Sequence, residues 1–103
     1  MDDFEKVKLC TQAINLWGIP AQVFMCLEEL AELQFTICKF ERSQKNKAEV
    51  IDEIADVNIM NRQLMTILGI SENEVRVQED IKWERLKHRI EKAREEKHNR
   101  GRG

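Results

Sequence analysis

Seven carboxylates crowd two short stretches of this chain: Glu28, Glu29 and Glu32 in the first, Glu49, Asp52, Glu53 and Asp56 in the second. On a helix turning 100° per residue, Glu29 and Glu32 lie about 60° apart and Glu28 about 40° from Glu32, so the three share one arc of about 100°. The four acids of the second stretch fit an arc of the same width. Like charges three and four residues apart repel by a few tenths of a kcal/mol per pair. A solvated face would interleave lysine or arginine, yet no basic residue falls between Gln22 and Gln34 or between Ala48 and Asn61. Such a concentration of charge calls for a cation from outside the chain. Hard divalent ions take oxygen ligands, and Mg²⁺ is held by a few carboxylates together with waters and substrate phosphates. Neither stretch contains the Glu-x-x-His of di-iron bundles. An all-oxygen donor set therefore favours Mg²⁺, with Mn²⁺ as a substitute, over zinc or iron. His88 and His98 lie ten residues apart in the final segment and read as solvated.

The elements that must carry these acids are helical. One proline and four glycines in 103 residues leave too few breaks for a sandwich or barrel. Phe4, Val7, Cys10, Ile14 and Trp17 trace a first helical face over residues 3–17, ended by Gly18-Ile19-Pro20. Val23, Leu27, Leu30, Gln34 and Ile37 predict an inward stripe on a second helix over 20–42. Val50, Ile54, Val57, Asn61, Leu64 and Leu68 predict another on a third over 48–68, closed by Gly69. Each acidic arc borders such a stripe. The short polar loop between these two helices makes them antiparallel neighbours, which brings positions 29/32 level with 53/56. Ser71-Glu72-Asn73-Glu74 has the spacing of a capping box and opens a fourth, highly charged helix to about residue 97. The expectation is one all-α, four-helix bundle-like domain over residues 1–98, with a disordered basic tail at 99–103.

Charge narrows the function classes. The net charge of −2 conceals an acidic body, with 8 basic and 15 acidic residues in 1–81, and a basic end, with 9 and 4 in 82–103. That is not the basic domain expected of a nucleic-acid binder. No apolar run approaches the ~20 residues of a membrane span. The acidic start, Met1-Asp2-Asp3, lacks the features of a signal peptide. Cys10, Cys26 and Cys38 form no close pair and read as reduced thiols, so the expected compartment is the cytoplasm.

Glu28-Glu29-x-x-Glu32, a gap of twenty residues, and Glu53-x-x-Asp56 together resemble the EExxE…ExxD signature of the MazG-like, all-α nucleotide pyrophosphohydrolases. Trp17 to Gln22 and Asp52 to Val57 are similar to the same family, and the resemblance covers roughly residues 12–70. Membership would imply an oligomer of helical protomers of the all-α NTP pyrophosphatase type. It would also imply Mg²⁺ and hydrolysis of a (deoxy)nucleoside triphosphate to the monophosphate and pyrophosphate, in nucleotide-pool sanitation or control. By motif match, Glu29, Glu32, Glu53 and Asp56 become the catalytic metal ligands, with Glu28, Glu49 and Asp52 behind them. Glu29 or Glu32 is the expected proton acceptor for the attacking water.

A nucleotide also needs a base pocket and cations. Gln22 and Asn61 carry amides that read a base edge, and Trp17 or Phe24 offers a ring to stack on it. Lys82, Arg85 and Arg89 share one helical face and are the expected phosphate contacts. Apolar residues left over on the second and third helices, such as Phe24, Leu33, Phe35, Ile59 and Met65, predict a homodimer or homotetramer. The competing reading is a non-enzymatic helical interaction or regulatory protein that keeps the same fold.

Overall fold

The computed structural model describes residues 1–101, and these fold as four helices with no strand. They are α1 (Asp3–Trp17), α2 (Ile19–Ser43), α3 (Lys47–Leu68) and α4 (Glu72–Gly101). The all-α expectation holds. Two compact units divide at Ile70/Ser71: α1, α2 and α3 form the first, and α4 belongs to the second. No helix among the described residues is long and apolar enough to cross a membrane.

The first unit is built around the α2–α3 hairpin, with α1 packed on both. Asp2 caps α1, its Oδ1 accepting from the Glu5 N–H at 2.8 Å. Gly18 breaks the chain between α1 and α2 at φ +89°, and Pro20 sits in the first turn of α2, where its missing N–H costs nothing. At the hairpin end, Gln44 adopts the left-handed conformation, φ 54°, and its N–H bonds to the Phe40 carbonyl at 2.7 Å. Buried Asn46 then ties the helices together: its Nδ2 donates to the Thr36 carbonyl at 3.2 Å and to Glu49 at 3.4 Å. Gly69 closes α3 in the left-handed conformation, with the Ile70 N–H reaching back to the Met65 carbonyl at 2.9 Å.

The faces that meet differ from the stripes of greatest apolarity. Along α2 the covered positions are Gln22, Cys26, Glu29, Leu33, Thr36 and Phe40; along α3 they are Val50, Glu53, Val57, Met60, Leu64 and Ile67. Both sets alternate spacings of three and four, as a helix seam does. Most of the stripe expected inside on α2 faces outward: Leu27, Leu30 and Ile37 are exposed, as is Gln34, and only Val23 is partly covered. On α3 the expected stripe holds in half: Val50, Val57 and Leu64 are covered, whereas Ile54, Asn61 and Leu68 are exposed. On α2 the seam is rotated toward Gln22, Cys26 and Thr36, on α3 it keeps Val50, Val57, Met60 and Leu64, and one carboxylate from each helix, Glu29 and Glu53, rides inward with them. No side chain among the described residues is fully buried.

In the second unit, Ser71 and Glu74 form the expected capping box. The Glu74 N–H donates to Ser71 Oγ at 3.2 Å, and the Ser71 N–H donates to Glu74 Oε2 at 2.7 Å. The helix then runs through Gly101, past the residue near 97 where the pattern ends, so Asn99, Arg100 and Gly101 are helical. Arg102 and Gly103 of the expected tail lie outside the described residues.

Candidate metal centre

Glu29 on α2 faces Glu53 and Asp56 on α3, and one carboxylate oxygen from each lies within 4.8 Å of the others. The seam explains the convergence. Glu29 and Glu53 occupy inward positions of the two helices, and Asp56 stands one turn beyond Glu53 on the same side. All three are half-buried.

The electrostatics follow from that crowding. Loss of water around Glu29 raises its pKa from 4.5 to about 7, aided by its hydrogen bond to Glu53 and by the charges of Asp56, Glu53 and Glu32. The crowding thus favours the protonated form of Glu29. Glu53 Oε2 is enclosed and has no hydrogen-bond partner. An enclosed carboxylate oxygen without a donor is costly, and a cation, a water or a proton on the neighbouring Glu29 would satisfy it. The donor set is entirely oxygen, as Mg²⁺ or Mn²⁺ takes. The residues present thus fit such an ion.

The remaining expected residues are distributed differently. Glu32 is exposed and outside the triad, and it reaches Glu29 through its charge. Glu28 and Asp52 are exposed on the outer sides of their helices. Glu49 belongs to the hairpin end. Lys39 Nζ lies 3.0 Å from its Oε2, and that hydrogen bond, with the one from Asn46, lowers its pKa. One of the seven acids thus has its counter-charge within the chain, supplied by a lysine just past the lysine-free stretch of α2.

Gln22 is only 5% exposed, enclosed in the α2–α3 seam. Asn61 is exposed on α3. Trp17, at 62% exposure, lines a groove of about 910 Å³ between α1 and α3. Phe24 is exposed on α2. Lys82, Arg85 and Arg89 are exposed on α4, in the second unit.

The groove brings in residues that sequence reasoning missed. Asn58, Arg62 and Gln63 of α3 and Lys6 of α1 line it together with Trp17. Gln63 Oε1 is enclosed without a partner, and Arg62 lies 3.8 Å from Asp3. A signal was present: Arg62 is the first basic residue after the acid-rich stretch of α3, and Asn58 and Arg62 are one turn apart. Of the thiols, Cys10 and Cys26 are buried and Cys38 is exposed, all unbridged. Burial raises the Cys10 pKa, partly offset by Arg62. Compared with protein-family models, with curated proteins and with solved structures, the chain matches none.

Proposed function

We propose that the protein is a Mg²⁺-dependent nucleoside triphosphate pyrophosphohydrolase of the MazG-like, all-α kind, releasing monophosphate and pyrophosphate in nucleotide-pool sanitation or control. The observation that carries this reading is the convergence of Glu29, Glu53 and Asp56 around an enclosed, unpartnered carboxylate oxygen. The motif pair Glu28-Glu29-x-x-Glu32 and Glu53-x-x-Asp56 supplies the same residues.

Glu29, Glu53 and Asp56 would hold the ion. When bound, Mg²⁺ or Mn²⁺ offsets the triphosphate charge and lowers the pKa of a water. Glu32, one turn along α2 and outside the triad, is the carboxylate left to accept the proton of the attacking water at its Oε atoms. Trp17 stacks on the base, and the amides of Asn58 and Gln63 bond to its edge. Arg62 stands six residues after Asp56, about 9 Å along the helix and about 120° around it; it lines the groove with Lys6, and both lie beside Asp3, at 3.8 and 4.0 Å. The outward stripes of α2 and α3, with Leu27, Phe35 and Ile37 on one and Ile51 and Ile54 on the other, support a homodimer or homotetramer.

The test is pyrophosphate release from a panel of ribo- and deoxynucleoside triphosphates, with Mg²⁺, with Mn²⁺ and with excess EDTA. Turnover of at least one triphosphate that EDTA abolishes is expected. Metal and nucleotide binding without turnover of any would leave the non-enzymatic reading in its place.

A further inference from the structure

α4 carries 30 residues, none of them buried, and Val77, Ile81, Trp83, Leu86 and Ile90 are all exposed. Four of its residues form a straight seam. Trp83, Leu86, Ile90 and Ala93 alternate spacings of three and four, and the same spacing adds Glu79 before them and Lys97 after them. Two shallow hollows open on the helix surface, one between Glu79, Lys82, Trp83 and Leu86, the next between Leu86, Arg89, Ile90, Lys92, Ala93 and Glu96. Such hollows are the shape that receives side chains of a facing helix.

The charge along α4 indicates what that facing helix is. Residues 72–80 hold four acids and one base; residues 82–101 hold eight bases and four acids. Reversed about residue 88, the acids Glu79 and Asp80 come level with the stretch that holds Arg94 and Lys97 of a second copy, while residues 82–94, with six bases and two acids, face their own copy. We infer that the Trp83–Ala93 face of α4 pairs antiparallel with α4 of a second copy of this chain, about a two-fold axis at the level of residue 88.

In that register Trp83 lies opposite Ala93 of the second copy, large against small, and Leu86 lies opposite Ile90. Glu79 meets Lys97 at each end of the seam. On the flanks, Lys82 faces Glu96 and Asp80 faces Arg94. Two-fold symmetry makes each of these pairs twice. Against them stand two like-charge meetings on the axis, Lys87 with its copy and Arg89 with its copy. Parallel pairing is far worse. It sets Glu79 on Glu79 and Lys97 on Lys97 within the seam, and Lys82 near Lys87 and Arg89 near Arg94 on the flanks. Val77 and Ile81 lie on other faces and take no part. The inference stands on α4 alone and does not depend on the pyrophosphohydrolase reading.

Sedimentation equilibrium of the full chain tests it. The expected mass is at least twice the 12.2 kDa of one chain. Leu86→Asp should remove the α4 contact and reduce the mass, with helical content retained because Leu86 is already exposed. Glu96→Lys turns two attractive pairs into repulsive ones and should weaken pairing about tenfold, since each exposed pair contributes a fraction of a kcal/mol and reversal doubles the change. The double variant Lys82→Glu/Glu96→Lys exchanges the charges and should return affinity to within about threefold of the original. A chain that is monomeric at about 100 µM overturns the inference. So does an oligomer that neither Leu86→Asp nor Glu96→Lys weakens, or a double variant no tighter than Glu96→Lys alone.

Discussion

Cation binding at the triad should expel a proton, and the amount is set by Glu29. Its pKa of about 7 means a carboxyl about 90% protonated at pH 6, half protonated at pH 7 and about 10% at pH 8. A carboxyl must be ionised to act as a ligand. Binding of Mg²⁺ or Mn²⁺ should therefore release about 0.9 proton at pH 6, about 0.5 at pH 7 and about 0.1 at pH 8. The same linkage makes the apparent dissociation constant about tenfold larger at pH 6 than at pH 8, because the competent, ionised fraction changes from about one-eleventh to about ten-elevenths. Isothermal titration of Mn²⁺ in two buffers of different ionisation enthalpy, at each pH, counts the protons directly. Glu29→Gln should abolish the release and weaken binding at every pH, whereas Glu28→Gln should change neither. Proton release near zero at pH 6, or an affinity that does not vary between pH 6 and 8, would refute both the placement of Glu29 among the ligands and the cause assigned to its pKa.

The metal-free protein should lose stability as pH rises from about 4.5 to about 7, since in that window the folded chain holds a proton on Glu29 that the unfolded chain has released. Thermal melts should show this slope in EDTA, and Glu29→Gln should flatten it. Glu53→Gln and Asp56→Asn should each lower turnover by about two orders of magnitude or more and weaken Mn²⁺ binding; Glu32→Gln should lower turnover while leaving Mn²⁺ affinity within about threefold, because Glu32 lies outside the triad. Trp17→Ala should raise KM for the triphosphate about tenfold, the scale of one lost base-stacking contact, with kcat little changed; an unaltered KM would place the base elsewhere. Gly69→Ala should cost about 1 kcal/mol in urea denaturation, all of it conformational, because φ is +66° and nothing lies within 4 Å of the added Cβ; a neutral result would mean that α3 ends differently.

Helix positions were legible in the sequence because local chemistry sets them: Pro20, Gly69 and the Ser71–Glu74 box all act within a turn of where they stand. The acidic pairs were legible too, since Glu29, Glu53 and Asp56 needed only helical spacing and an antiparallel hairpin to converge. The rotation of α2 was not, and that of α3 only in part: Val50, Val57 and Leu64 are covered as expected. Both α2 and α3 carry two lines of residues at spacings of three and four. Apolarity singles out Leu27, Leu30 and Ile37, whereas packing selects Gln22, Cys26, Glu29, Leu33 and Thr36. Gln22 was therefore expected to meet a base and lies enclosed in the seam, and Glu49 was grouped with the site although Lys39 holds it at the hairpin end. The groove lined by Asn58, Arg62 and Gln63 depends on how α1 lies across α3, which no local pattern encodes.

The outward apolar stripes of α2 and α3 invert the usual rule for reading tolerance to substitution. In most domains the interior residues resist change and the surface accepts it. Here Cys26 and Thr36 sit inside the hairpin, while Phe35 and Ile37 point away from it. If those stripes are covered in an assembly, a deep mutational scan would show Phe35, Ile37, Ile51 and Ile54 among its least permissive positions. Their sensitivity would depend on how much protein the cell makes, because dilution uncovers them by mass action. Seam positions such as Cys26 would be scored the same at any expression level.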